Sequence, residues 1–182
     1  FLFCFLTTLL AAAAGAQLAE IGINPLRLEA GARPLGMGAA FTGLADDVNS
    51  ALYNPGGLAW AKGISVTVKD FDNITAVQAY PSGLGSTIGL AISTSKYANV
   101  PITGGTATSS SNLVMVSFGS KLTFLPALYR QEAFKRLGIG LNLKGLLGES
   151  LRRTGQSDRS ATAWNMDFGL LWKATDWWSA GF

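Results

Sequence analysis

Residues 164–173 read WNMDFGLLWK, and their side chains sort by parity. Successive residues of a β-strand point to opposite faces. Trp164, Met166, Phe168, Leu170 and Trp172 therefore share one face, and Asn165, Asp167, Gly169, Leu171 and Lys173 the other. At about 3.3 Å per residue the two tryptophans stand roughly 26 Å apart along the strand. A tilt of about 40° projects this to roughly 20 Å, near the ~25 Å apolar band of an outer-membrane strand flanked by aromatic girdles. An indole at each end of an aliphatic face suits a membrane interface, where one edge of the ring is wet and the other dry. Trp164 and Trp172 are thus expected to be lipid-facing girdle residues.

The same period recurs upstream. Ile64, Val66 and Val68 alternate with Ser65, Thr67 and Lys69, and Ile88, Leu90 and Ile92 alternate with small residues. Val114, Val116, Phe118, Leu122 and Phe124 are assigned one face, broken by Ser120. Leu137, Ile139, Leu141 and Leu143 alternate with Gly138, Gly140, Asn142 and Lys144, and 73–80 reads as a weaker strand. The opposite faces carry Gly89, Asn142, Lys144 and Asp167, which would leave holes and uncompensated charge in a dry core but suit a barrel lumen. Asn142, Lys144 and Asp167 are expected to face that lumen. Short turns are expected at 70–72, 82–85 and 174–176 on the periplasmic side, a long polar loop over 96–111 outside, and a short helical turn within 126–136. Residues 63–182 are expected to be the first seven or so strands of an incomplete barrel, since closure takes an even number of at least about eight.

Composition agrees with this reading. Of 182 residues, 48% are hydrophobic and only 14% charged, against about a quarter in an average soluble domain. Beyond residue 17 no apolar run nears the ~18–20 residues of a membrane helix. High hydropathy without a spanning helix leaves two options, an unusually apolar soluble domain or a membrane β-barrel whose apolar residues are spread by alternation. The net charge of +3 is scattered, which argues against nucleic acid as a partner.

The N-terminus FLFCFLTTLLAAAAGAQ reads as a signal peptide over 1–16, begun within its apolar region. Ala14 and Ala16 frame a cleavage site before Gln17. Cys4, the single cysteine, falls inside it, so the mature chain has no disulfide or thiolate metal site. Residues 17–62 then form a unit of their own. Within it lies GARPLGMGAAFTGLADDVNSALYNPGGLA (31–59), too rich in glycine for an ordinary helix and too poor in β-branched residues for a strand. Asp46 or Asp47 is expected to N-cap a short helix. Asn54-Pro55 is expected to end it, since the residue before proline is pushed from the α region. A segment of small residues preceding the first strand is expected to fold into the barrel as a plug.

The glycine-rich GARPLGMGAAF, the acidic pair of LADDVNSALY and the stop NPGGLA together resemble the N-terminal signature of the FadL-like outer-membrane family, most closely its PorV/PorQ-type branch. Asn54-Pro55-Gly56 stands where that family usually has Asn-Pro-Ala. RLGIGLNLKGL and MDFGLLWKATDWWSAGF look like mid-barrel strands of the same family. The resemblance implies an all-β fold: a transmembrane antiparallel β-barrel in the outer membrane of a Gram-negative-type bacterium, here as a fragment. Its plug motif would comprise Gly36, Gly38, Asp46, Asp47, Asn54, Pro55 and Gly56. It implies passive transport of small lipophilic molecules or, alternatively, a docking scaffold for secreted proteins in a type IX-like secretion system. Outer-membrane lipid would be a partner in either case.

Enzymatic and cofactor roles are not expected. The absence of histidine removes Ser-His hydrolysis and His-based zinc. Gly36-Met37-Gly38 follows no strand, and Phe41 stands at the third glycine of a dinucleotide loop. Three oxygen side chains at Asp46, Asp47 and Asn49 fit capping better than calcium.

Overall fold

The computed structural model describes residues 29–70, 73–83, 86–102, 105–122, 132–153 and 159–182. The signal-peptide and cleavage-site expectations over 1–16, Ala14 and Ala16 included, lie outside these residues, as does Phe124. Seven antiparallel strands follow one another in chain order as an open half-barrel. They are β1 (Gly63–Asp70), β2 (Asn73–Gly83), β3 (Ser86–Ile102), β4 (Gly105–Lys121), β5 (Leu137–Arg153), β6 (Arg159–Trp172) and β7 (Ala180–Gly181). The described segment before β1 holds a helix α1 (Ala32–Gly36), a one-turn helix α2 (Ser50–Tyr53) and a 3-10 helix (Pro55–Ala59). A further turn of helix, α3 (Glu132–Lys135), precedes β5, as the sequence suggested for 126–136.

Register turns the alternation into rows across the sheet. One row runs Ile64–Gln78–Leu90–Val116–Leu143–Met166, and its neighbour runs Tyr80–Ile88–Phe118–Leu141–Phe168. Apart from half-buried Gln78, these side chains are exposed, and Trp164 and Trp172 sit on the same outer face, 58% and 41% exposed. The intervening residues point inward. Val77, Ala79, Ala91, Leu113, Met115 and Leu146 are buried there against Val48, Ala51, Leu58 and Ala61 of the N-terminal segment. A second cluster joins Phe41 and Ala45 to Leu171 of β6. The core thus lies between the inner face and the chain's own N-terminal segment, and a second set of large apolar residues looks outward.

Three expectations are corrected. The stretch 96–111 is not a loop: β3 runs to Ile102 and β4 starts at Gly105, with Ile102 paired to Gly105. Threonine and serine are comfortable in strands, and backbone pairing needs no apolar alternation. The connections after β1 and after β2 lie at opposite ends of the sheet, because consecutive strands are antiparallel, so the short turns expected at 70–72 and 82–85 do not share a side. Leu122 is buried, unlike Val114, Val116 and Phe118, because it follows the last β4 residue, Lys121, and leaves the strand's parity.

Candidate functional site

The residues singled out in the sequence converge on the seam between the N-terminal segment and the inner face. Asn54 is the joint. Its backbone is extended (φ −158°, ψ 98°) between α2 and the 3-10 helix, and its side chain is 1% exposed. The amide donates to Thr42 O at 2.9 Å and to Leu170 O of β6 at 2.7 Å, and its oxygen accepts from Gly56 N at 3.0 Å. One side chain thereby closes the turn, caps the 3-10 helix and ties both to the sheet. Pro55 sits at the first position of that helix, where a missing N–H costs nothing.

The wall beneath is built of glycine. A Cβ on Gly140 would collide with the carbonyl of Pro55, and one on Gly169 with Asn54 Oδ1. One on Gly138 would strike Gly56 O, and one on Gly119 the Cβ of Leu58. Glycine inside a strand weakens it and marks close backbone approach, which is the case on β4, β5 and β6. Gly56 is packed as tightly from the other side, with a Cβ there only 2.8 Å from Leu171 N. Leu58 fills the space over Gly89 and Gly119 and is wholly buried, worth about 1.5–3 kcal/mol.

Gly36 and Gly38 lie elsewhere. Both are exposed, a Cβ on either would meet nothing within 4 Å, and Gly38 (φ 63°) serves the turn after α1. Asp46 and Asp47 do not cap α2 as expected. Asn49 holds the N-cap without a side-chain bond, and Asp47 Oδ1 accepts from Asn49 N at 2.7 Å, ahead of the helix. Both carboxylates instead grip Arg33, Asp46 through two guanidinium nitrogens and Asp47 at 3.1 Å. Those hydrogen bonds, to Asp46 first and then Asp47, raise the Arg33 pKa further above its already high value. Arg33 also lies 5.4 Å from the Phe41 ring centroid, and Phe41 meets Tyr53 edge-on. Burial raises the Tyr53 pKa, reinforced by Glu29, while its hydroxyl donates to Ala30 O at 3.1 Å.

Asn142, Lys144 and Asp167 share the inner face of β5 and β6. Lys144 Nζ meets Asp167 Oδ2 at 2.6 Å, and Asn142 donates to Asp167 at 3.2 Å and to Ala51 O of α2 at 2.8 Å. The polar trio therefore holds the N-terminal segment as well as itself.

Several participants escape a reading of the sequence. Arg33, Thr42 and Trp60 belong to the seam, Trp177 and Trp178 are exposed, and Trp178 packs edge-on against Trp172 at 5.9 Å. The doubled tryptophan is the available signal for the last two. No family model, curated protein or solved structure matches the chain.

Proposed function

We propose that this sheet is part of the wall of an outer-membrane β-barrel of FadL-like kind, with residues 29–62 seated in its lumen as a plug. The observation that carries this is the inversion of the two faces. Rows of Ile, Leu, Val, Phe, Tyr and Trp, interrupted at Gln78, are exposed outward. Glycines, serines, threonines and the Asn142–Lys144–Asp167 group lie inward with Val77, Leu113, Met115 and Leu146 beneath the segment. A soluble monomer rarely shows an exposed apolar patch beyond a few hundred Å². A bilayer asks for that pattern, with pairing that leaves no backbone group unsatisfied. The role is passive passage of small lipophilic molecules. Its support is the uneven seating of the segment. Pro55–Ala59 rests on glycine backbone, while residues 31–53 meet the wall through side-chain bonds such as Thr67 to Gly31 and Asn142 to Ala51, so a shift of the latter part offers a path.

A docking role for secreted proteins is favoured by one observation. From Ser93 to Ile102, β3 continues some 30 Å beyond its apolar rows with β4, exposing Thr94, Lys96 and Asn112. Spin labels at Leu90 and Val116 should report lipid in reconstituted bilayers, and labels at Ala91 and Met115 should report protein. Equal environments on both parities would sink the membrane reading. Uptake of a hydrophobic fluorophore into proteoliposomes then separates passage from docking, which predicts none.

A further inference from the structure

Under the N-terminal segment, the inner face buries polar atoms that the fold itself does not satisfy. Among the described residues, three buried side-chain polar atoms have no hydrogen-bond partner. Two of them, Ser117 Oγ and Asn142 Oδ1, belong to residues paired directly across β4 and β5. Each residue is 1% exposed. Directly opposed side chains of antiparallel strands hold their Cβ atoms about 4.5–5.5 Å apart. Two residues back along β4, Met115 enters the apolar core with Val48, Ala51 and Leu58, so bulk solvent does not serve this pair.

The Asn142 amide cannot turn to relieve its oxygen. Its nitrogen donates to Ala51 O at 2.8 Å and to Asp167 Oδ2 at 3.2 Å, and a flip would set oxygen against oxygen at both. Asp167 is its pair on the β6 side, which turns the amide oxygen toward β4, where Ser117 stands. The next residue in this row is Gly89 on β3. An added Cβ there would stay 3.0 Å from its nearest atom, against 2.1–2.4 Å at Gly119, Gly138, Gly140 and Gly169. The wall is thus least tightly covered beside Ser117.

We propose that Ser117 and Asn142 hold one internal water molecule in the seam between the wall and the N-terminal segment. The water donates to Asn142 Oδ1 and shares a second bond with Ser117 Oγ, a hydroxyl that both donates and accepts. At about 2.8 Å per bond it spans roughly 5.6 Å, the reach of a cross-strand pair. Buried water characteristically takes up polar groups of this kind, with two partners as its minimum. The site has a consequence for the segment above it. With its oxygen satisfied, the Asn142 amide is held in the orientation that donates to Ala51 O, so the water positions the bond between β5 and α2. None of this requires the transport reading.

The test uses the full chain in zwitterionic micelles. Magnetisation transfer from water to the Asn142 side-chain amide protons, assigned with Asn142→Leu, is recorded in the laboratory and rotating frames. A bound water gives cross-peaks of opposite sign in the two frames, whereas direct proton exchange gives equal signs, and opposite signs are expected. Ser117→Ala and Lys144→Met should each keep the cross-peak, which excludes relay through the exchanging hydroxyl or ammonium protons. Ser117→Val, whose added methyls take the water's place, should lose it. In chemical unfolding, Ser117→Ala should raise the unfolded fraction about five- to tenfold, because it takes a partner from a bound water. A hydroxyl without a water would give the reverse, since deleting it removes only a desolvation cost. Dispersed amide signals of β3 check the fold of each variant. The proposal is overturned by silence in wild type, by loss of the cross-peak in Ser117→Ala or Lys144→Met, or by its retention in folded Ser117→Val. A Ser117→Ala at least as stable as wild type would overturn it too.

Discussion

Placing one methyl group on Gly140 tests whether the 3-10 helix is seated on a glycine bed. A Cβ there would lie 2.6 Å from Gly56 N and closer still to the Pro55 carbonyl. Ordinary contact begins near 3.4 Å, so the two surfaces must part by about 0.8 Å or more. No side chain can swing aside to absorb this, because every atom met is backbone. Pro55 and Gly56 are themselves fixed by Asn54 and by Leu171 N beneath. Overpacking costs about 1–3 kcal/mol, and a backbone collision belongs at the upper end. At 1.4 kcal/mol per decade, about 3 kcal/mol raises the displaced population of the helix roughly a hundredfold. Hydrogen exchange reads this at Gly57 and Trp60, whose amides bond to Asn54 O and Gly57 O at 3.0 and 3.1 Å. Their protection should fall about a hundredfold in Gly140→Ala while paired amides of β3 and β4 hold theirs. Gly36→Ala, with nothing within 4 Å, is the control and should be neutral or slightly stabilising. Unchanged protection at Gly57 and Trp60 in Gly140→Ala would refute the seating.

Asn54→Ala removes three hydrogen bonds, taking the amide donor from Thr42 O and leaving Leu170 O with the Phe182 N–H alone of its two described donors. At about 1 kcal/mol each this is a loss near 3 kcal/mol, measurable as a lower denaturant midpoint with protease cleavage appearing near residue 54. The Lys144–Asp167 pair should respond asymmetrically, since the lysine side chain is 8% exposed and the aspartate 33%. Asp167→Asn takes a carboxylate from a buried ammonium and should cost up to about 3–5 kcal/mol, whereas Lys144→Met leaves a carboxylate that water still reaches and should cost clearly less. Equal destabilisation in chemical unfolding would show that the charges are not what hold the site.

What the sequence discloses here depends on whether the signal is local. The strands at 64–68, 88–92, 137–143 and 164–172 are legible because parity is a local property, and the register then aligns rows that each strand has already sorted. The β3–β4 extension is not legible: Ser and Thr on both faces leave no alternation, and backbone pairing holds the hairpin. Asp46 and Asp47 read as caps because capping is the nearest use for an acidic pair, whereas their partner Arg33 lies 13 and 14 residues upstream across a turn. Asn54, Pro55 and Gly56 read as a stop, and they are one. That the stop rests on Gly138, Gly140 and Gly169, more than 80 residues away, is a long-range fact no window can hold. The glycines read as smallness facing a lumen, and their actual use is to admit another backbone.

That use constrains how the segment can move. The 3-10 helix and Asn54 together touch glycines of four consecutive strands: Gly89 on β3, Gly119 on β4, Gly138 and Gly140 on β5, and Gly169 on β6. A strand without inward side chains bends and lets a partner approach, so the same residues that admit the helix allow the sheet to curve around it. Lifting the helix out would expose Leu58 and uncover that curved bed, breaking contacts with four strands at once. The part from Gly31 to Tyr53 is held differently. Its polar ties to the rest of the described chain include the Asn142 bond to Ala51 O, a bond from Gly31 N to Thr67 Oγ1 at 2.8 Å and one from Ser179 Oγ to Gly43 O at 2.6 Å. The partly exposed Arg33 pairs, worth about 0–1 kcal/mol each, brace it internally. On the transport reading, motion that opens a passage would pivot at Asn54, with residues 31–53 swinging while Pro55–Ala59 stays seated. On that reading, removing the tie from Gly31 to β1 with Thr67→Val should raise passage, whereas unseating the 3-10 helix should cost folding.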